Sequence, residues 1–373
     1  MLMSPLFDNC NFSESTVAWG TGVTVGVYWG LFPCFFVLAT SGHLVSVLAF
    51  HIQSKTESAY MFQIFVAGVE AFEAVVFSFY IATRYLLCGL GRWGAVWFMK
   101  CHACMFVDAH FSNTLQMGAM FCSVFLALCM TVDRIYALAK PMAYNKVKNR
   151  KRQQWIVFFF AIALSFLCTF FVGFYFNTWW DEDKQLYSNK VNKPWRPVLI
   201  TLVETHTTLI MIFALALVVA DVVLVILYRH RIKNRAQVAQ STTKSKEAED
   251  AELQKIRMLF WLTFMTSILN IASAGTDFAY QLISWLCIMF DWGDVDCISE
   301  LLAPFVDGFR ALSVMLDFYL MFALMPSFRR MIIKSVKQFF KIGGVKVAAV
   351  TPISSGNGTK STGHEARVPV AIA

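Results

Sequence analysis

Apolar residues run through this chain in long blocks, separated by short polar or charged stretches. A helix that crosses a membrane needs about 20 predominantly apolar residues. Seven blocks meet that length, near 23–50, 59–86, 102–132, 153–176, 198–228, 258–287 and 301–325. Two are almost uninterrupted, WIVFFFAIALSFLCTFFVGFYF and LIMIFALALVVADVVLVILY. The pattern predicts an all-α membrane protein, a seven-transmembrane helix bundle over 23–325, preceded by an extracellular segment 1–22. After the seventh block, Phe328, Met331, Ile332, Val336, Phe339 and Phe340 recur at helical spacing, with Arg329, Arg330, Lys334, Lys337 and Lys341 between them. This predicts an amphipathic interfacial helix over 326–342, stopped by Gly343-Gly344. The remainder, 343–373, is rich in Gly, Ser and Thr and is expected to be a disordered cytoplasmic tail. Its Ser354, Ser355, Thr359, Ser361 and Thr362 are candidate phosphorylation positions. The stretch KEAEDAELQKIR, rich in strong helix formers, predicts an extension of the sixth helix beyond the membrane.

Composition agrees with the pattern. The chain is 57% hydrophobic and 15% charged, where a soluble domain carries about 25% charged residues. Its 36 Phe exceed what one soluble core would hold. The net charge of +8 sits in loops and tail, so the bilayer is the expected partner and nucleic acid is not.

The sign of the loops sets the orientation. Segments 51–58, 140–152, 229–257 and 327–373 carry 23 Lys and Arg; segments 1–20, 84–100, 177–197 and 291–300 carry 7. Lys and Arg accumulate on the cytoplasmic side. The N-terminus is therefore expected outside and the C-terminus in the cytosol, in the plasma membrane, with no cleaved signal peptide. The sequon Asn11-Phe-Ser13 then lies outside, where Asn11 can carry a glycan; Asn357-Gly-Thr359 lies inside. The cysteines show no metal-binding spacing. Cys122, Cys129 and Cys168 read as core or lipid-facing residues. Cys88 with Cys101 or Cys104, and Cys287 with Cys297, are pairs that an oxidising exterior could bridge.

The third block ends in FLALCMTVDRIYALAKPMAY. A helix of about 1.5 Å per residue puts Asp133-Arg134 at the inner membrane boundary. There the acid can hold the base through a charge-assisted hydrogen bond, and displacing the acid frees the base. The bland reading is an ordinary boundary charge pair. The longer string resembles the end of the third helix in rhodopsin-like G-protein-coupled receptors, Asp-Arg-Tyr-x-Ala-x-x-x-Pro-Leu-x-Tyr. Asp133, Arg134, Ala137, Pro141 and Tyr144 match in register, Met142 stands for Leu and Ile135 for Tyr. The resemblance implies that Arg134 is held by Asp133 at rest and meets a heterotrimeric G protein when active, with Met142 as an apolar knob for that partner.

Other stretches are similar more loosely. His43 in SGHLVSV stands where the family has Asn, and Glu70 in IFVAGVE stands where it has Asp. Ser123 matches a polar position of the family's internal sodium and water site. Asp317 in DFYLM replaces the Asn of Asn-Pro-x-x-Tyr. His43, Glu70, Ser123 and Asp317 are thus expected to form a polar cluster at mid-membrane. Two buried carboxylates repel, so one is expected to be protonated or paired with a cation or with His43. The chain departs from the family in lacking Cys-Trp-x-Pro in the sixth block and Pro in the fifth. It has Ala109 at the family's third-helix Cys position and no Cys in the second outside loop. Such eroded signatures resemble the nematode chemosensory and FMRFamide-peptide-receptor-like branches.

Ionisable residues inside a membrane are functional candidates by default. The outer halves carry the polar groups Asp108, His110, Asn113, Gln116, Glu204, His206, Asp277, Tyr280, Gln281, Asp307 and Arg310, several of them ionisable. Asp307 and Arg310, three apart, can pair on one helix face. The resemblance places Gln116 where amine receptors carry Asp, and the seventh block lacks the Lys that opsins use for retinal. The implied function is a receptor for an extracellular peptide or small chemical cue that activates a G protein. The alternative is a membrane transporter or ligand-gated channel. An enzyme is not expected: the seven His show no HxxxH or HExxH spacing, and no cofactor or metal is predicted.

Overall fold

The computed structural model describes residues 19, 22–23, 26–55, 57–81, 101–107, 110, 113–147, 149–171, 176–182, 186–191, 196–239, 246–290 and 295–342. The described residues are nearly all helical. Six helices are long and apolar enough to cross a membrane, or seven if one bent pair counts as a single span. The first five are α1 (Phe32–Ser54), α2 (Met61–Ile81), the short α3 (His102–Val107), α4 (Asn113–Ala139) and the short α5 (Pro141–Lys146). They are followed by α6 (Arg150–Thr169), α7 (Arg196–Ala239), α8 (Lys246–Phe290), α9 (Val295–Leu324) and α10 (Pro326–Ile342).

Two departures from the pattern stand out among the described residues, a hairpin and a longer α7. Among the described residues the third block is helical over His102–Val107 and from Asn113 to Ala139. Between α6 and α7 lies an antiparallel hairpin, β1 (Phe176–Asp181) with β2 (Leu186–Val191), paired Phe176 to Val191 through Asp181 to Leu186. Its Trp, Tyr, Thr and Val favour the pleat, and α3 packs against both strands. The helix α8 starts at Lys246, as the helix formers of KEAEDAELQKIR predict. The helix α7 runs on to Ala239, over a stretch the pattern had assigned to a loop.

The contacts make α4 central. It packs on α2, α6, α7 and α8, while α1 touches α2 and α9, and α8 touches α7 and α9. Met61, Phe65, Leu126, Met130 and Ala161 fill the space between α2, α4 and α6. Phe121, Val124, Ile210 and Ala274 do so between α4, α7 and α8. Gly42 lets α9 close on α1: a Cβ there would meet the Phe318 ring at 2.7 Å. Large apolar side chains remain on the outside, Leu167 at 65% and Val219 at 64% exposed, which suits a helix surface solvated by lipid. These features point to a multi-pass membrane protein.

The chain bends by 101° between α9 and α10. Pro326 has no N–H to continue the ladder, yet Met325 N still bonds Met321 O and Arg329 N bonds Met325 O, both at 3.0 Å. Phe328, Met331 and Ile332 of α10 join Phe50, Tyr60, Met258 and Met321 in one buried cluster. The first turns of α10 are thus packed on protein rather than wholly on an interface.

Candidate functional site

Near the C-terminal end of α4, Asp133 and Arg134 turn to different partners. Arg150 Nη2 donates to both oxygens of Asp133 at 2.8 Å, and Tyr144 donates its hydroxyl to Oδ2 at 3.1 Å. The Arg150 guanidinium lies 3.3 Å over the Tyr144 ring, a cation–π arrangement. Local backbone builds this trio. Pro141 starts α5, and Asn149, in the left-handed region at φ 59°, turns the chain into α6 with Arg150 as its first residue. Asn is among the few residues that adopt that conformation readily.

Arg134 is buried and keeps only a 3.8 Å ion pair with Asp133. The hydrogen bond expected between the two is replaced by one from Arg134 Nη2 to the Ala59 carbonyl. Arg134 Nε has no hydrogen bond. The turn 57–60 that receives Arg134 also holds α8, since Lys255 Nζ lies 2.6 Å from Glu57 Oε2. Arg231 of α7 donates to Leu138 O at 3.3 Å. The α1–α2 turn therefore clasps two helices, α4 through a buried arginine and α8 through a partly exposed lysine. Met142 stands 73% exposed on α5.

At mid-depth the four residues expected to cluster are all buried and share one network. His43 Nε2 donates to Val314 O at 2.8 Å, and its Nδ1 lies 3.3 Å from Glu70 Oε2. A carbonyl only accepts, so Nε2 carries a hydrogen. Nδ1 and Oε2 are within ion-pair distance but not hydrogen-bonded to each other. Ser123 donates to Asn270 Oδ1 at 2.8 Å, and Asn270 Nδ2 reaches Glu70 Oε1 at 3.5 Å. Thr266 donates to Asp317 Oδ1 at 3.0 Å. One ligand atom each from His43, Glu70 and Asp317 fall within 4.8 Å of one another, a set that can hold a cation or a proton between the carboxylates. Asn270 and Thr266, one turn apart on α8, were not singled out by the sequence reading. Their signal was the polar pair at i, i+4 inside an apolar helix.

One turn further out, Arg310 donates Nε and Nη2 to Glu73 Oε1 at 2.9 and 2.8 Å, and Nη2 reaches Gln116 O at 3.3 Å. Both partners of this ion pair are buried, and the Phe77 ring lies 5.5 Å from the guanidinium. Glu73 is an ion-pair partner of Arg310 that the spacing of Asp307 and Arg310 did not reveal.

Toward the outer side, His206 is 1% exposed, and neither ring nitrogen has a hydrogen bond. Phe121 and Phe171 stand beside it, at 5.7 and 6.5 Å between ring centroids. Gln116 is buried, Glu204 is exposed, and His110, Tyr280 and Asp307 are half-buried. Asn11 and Asp108 lie outside the described residues, as do Cys88 and the tail 343–373, and the side chains of Asn113, Asp277, Gln281 and Cys297 also lie outside them.

No protein-family model and no curated protein matches the chain.

Proposed function

We propose that the chain is a seven-span receptor of the rhodopsin-like kind. In this reading it lies in the plasma membrane with its N-terminus outside. It binds an extracellular peptide or small chemical cue and activates a heterotrimeric G protein at its inner face. The observation that carries this reading is the state of Arg134. It is a buried cation at the end of a membrane helix, with one backbone hydrogen bond and an ion pair of 3.8 Å, while Asp133 spends its hydrogen bonds on Arg150 and Tyr144. A charge so lightly held is ready to change partner. The Lys255–Glu57 pair is the ion pair that holds the inner end of α8 to the α1–α2 turn, so outward movement of α8 opens it and unpacks Met258 from its cluster, and Met142 offers an apolar contact to a docking protein. The unpartnered ring of His206 among aromatic side chains supports a ligand site between α4, α6 and α7. A ligand shifts such an equilibrium only by preferring one state.

The polar chain from His43 to Asp317 and the Glu73–Arg310 pair also fit a transporter or ligand-gated channel. Guanine-nucleotide exchange on a heterotrimer, measured with the reconstituted protein, separates the readings. Arg134→Ala abolishes exchange at unchanged surface expression if the receptor reading holds. Exchange that survives the substitution, or ligand-dependent current without G protein, overturns it.

A further inference from the structure

A groove of about 490 Å³ opens between the inner ends of α8 and α9 and the start of α10. Its volume lies within the about 300–1,000 Å³ of sites that hold small organic ligands. Both walls change polarity in the same direction. Along α8, Met265, Trp261 and Met258 give way to Arg257 and Gln254. Along the other wall, Leu320 and Leu324 of α9 give way to Ser327 and Arg330 of α10. From Met265 to Gln254 the helix rises about 16 Å at 1.5 Å per residue. The apolar end is open to the outside of the helices, with Trp261 38% and Leu324 61% exposed. Methionine supplies the floor through Met258, Met265 and Met325, and its flexible thioether adapts to a chain of variable shape.

We propose that this groove binds an anionic glycerophospholipid of the inner leaflet. One acyl chain lies along the Met and Leu wall, and the headgroup phosphate sits between Arg257 and Arg330. The polarity gradient is that of an amphiphile, and the positive mouth selects the anionic kind. Arg330 uses Nε on Pro326 O at 3.3 Å, and Arg257 also reaches the Tyr228 hydroxyl. A guanidinium has five donors, so both residues retain groups for phosphate oxygens. Bound there, the lipid ties α8 to α9 and α10, and so opposes or permits movement of the inner end of α8. The assignment rests on the cytosolic orientation proposed above.

The test is native mass spectrometry of the purified full chain in detergent with phosphatidylserine and phosphatidylcholine as competing ligands. The expected result is at least fivefold greater retention of phosphatidylserine. Arg257→Gln with Arg330→Gln brings the ratio close to one while phosphatidylcholine retention persists, and Met265→Trp, which fills the apolar end, lowers retention of both. Soluble phosphoserine does not compete. Equal retention of the two lipids by the unaltered chain, an unchanged ratio in the double variant, or displacement by phosphoserine alone overturns the proposal. No lipid retained at all assigns the groove to another occupant and overturns it as well. Nucleotide exchange measured on the same samples separates the two ideas: a failed lipid site leaves exchange intact, and a failed receptor reading leaves lipid selectivity intact.

Discussion

Arg150 and Asp133 are joined by two hydrogen bonds of 2.8 Å from one guanidinium nitrogen to both carboxylate oxygens, although they belong to different helices. Asp133 is thereby drawn away from its sequence neighbour Arg134. This relationship gives the two residues opposite effects. Arg150→Gln returns the carboxylate to Arg134, strengthens the resting state and lowers basal nucleotide exchange. Asp133→Asn loosens Arg134 and raises it. Hydrogen bonds to charged groups contribute about 1.5–3 kcal/mol, so each change is on the order of tenfold. The double variant behaves as Asp133→Asn alone, because Arg150 acts through the carboxylate. Exchange rates of the four proteins check this, and equal signs for the two single variants would sink it.

The Glu73–Arg310 pair is buried on both sides, and a buried pair is costly to break. Arg310→Ala leaves the Glu73 charge uncompensated and destabilises the protein by about 3–5 kcal/mol. Glu73→Leu with Arg310→Met removes both charges and recovers most of that loss. Thermal unfolding in detergent measures both, and a double variant no more stable than Arg310→Ala would contradict the argument.

His206 is a cost that the unliganded fold carries. Two unsatisfied ring nitrogens in an aromatic surround destabilise it by about 1–3 kcal/mol each. His206→Phe therefore raises the unfolding temperature of the unliganded protein and abolishes ligand-evoked exchange. A lowered unfolding temperature with ligand response intact would assign the ring a structural role only.

Lys255 and Glu57 are 2.6 Å apart but remain about 42% and 34% exposed. An ion pair so exposed contributes roughly 0–1 kcal/mol. Glu57→Gln thus raises basal exchange by no more than about fivefold, and the increment shrinks as salt rises above 0.15 M, where the Debye length falls below about 8 Å. A much larger rise would mean that this pair holds α8 more strongly than an exposed ion pair can.

The helical architecture was legible because lipid solvation leaves a plain mark, long apolar blocks between short polar stretches. The Asp133-Arg134 doublet marked the C-terminal part of α4 as a place where charges meet. The partner of Asp133 was not, because Arg150 sits in a run with Lys146, Lys148, Lys151 and Arg152. Only the left-handed turn at Asn149 singles it out. Glu73, three residues after Glu70, was visible as a second acid on one helix, but its partner Arg310 lies 237 positions away. Asp221, the one acid within LIMIFALALVVADVVLVILY, is buried, and the hydropathy of that block masked it. The hairpin after α6 was missed because its residues do not alternate cleanly between apolar and polar.

Every step of this account requires the inner end of α4 to face the cytosol. Antibody labelling of intact cells carrying one epitope at the N-terminus and another at the C-terminus measures this directly. The account predicts that the N-terminal epitope is labelled at once and the C-terminal one only after the membrane is permeabilised. Labelling of the C-terminal epitope on intact cells would contradict it.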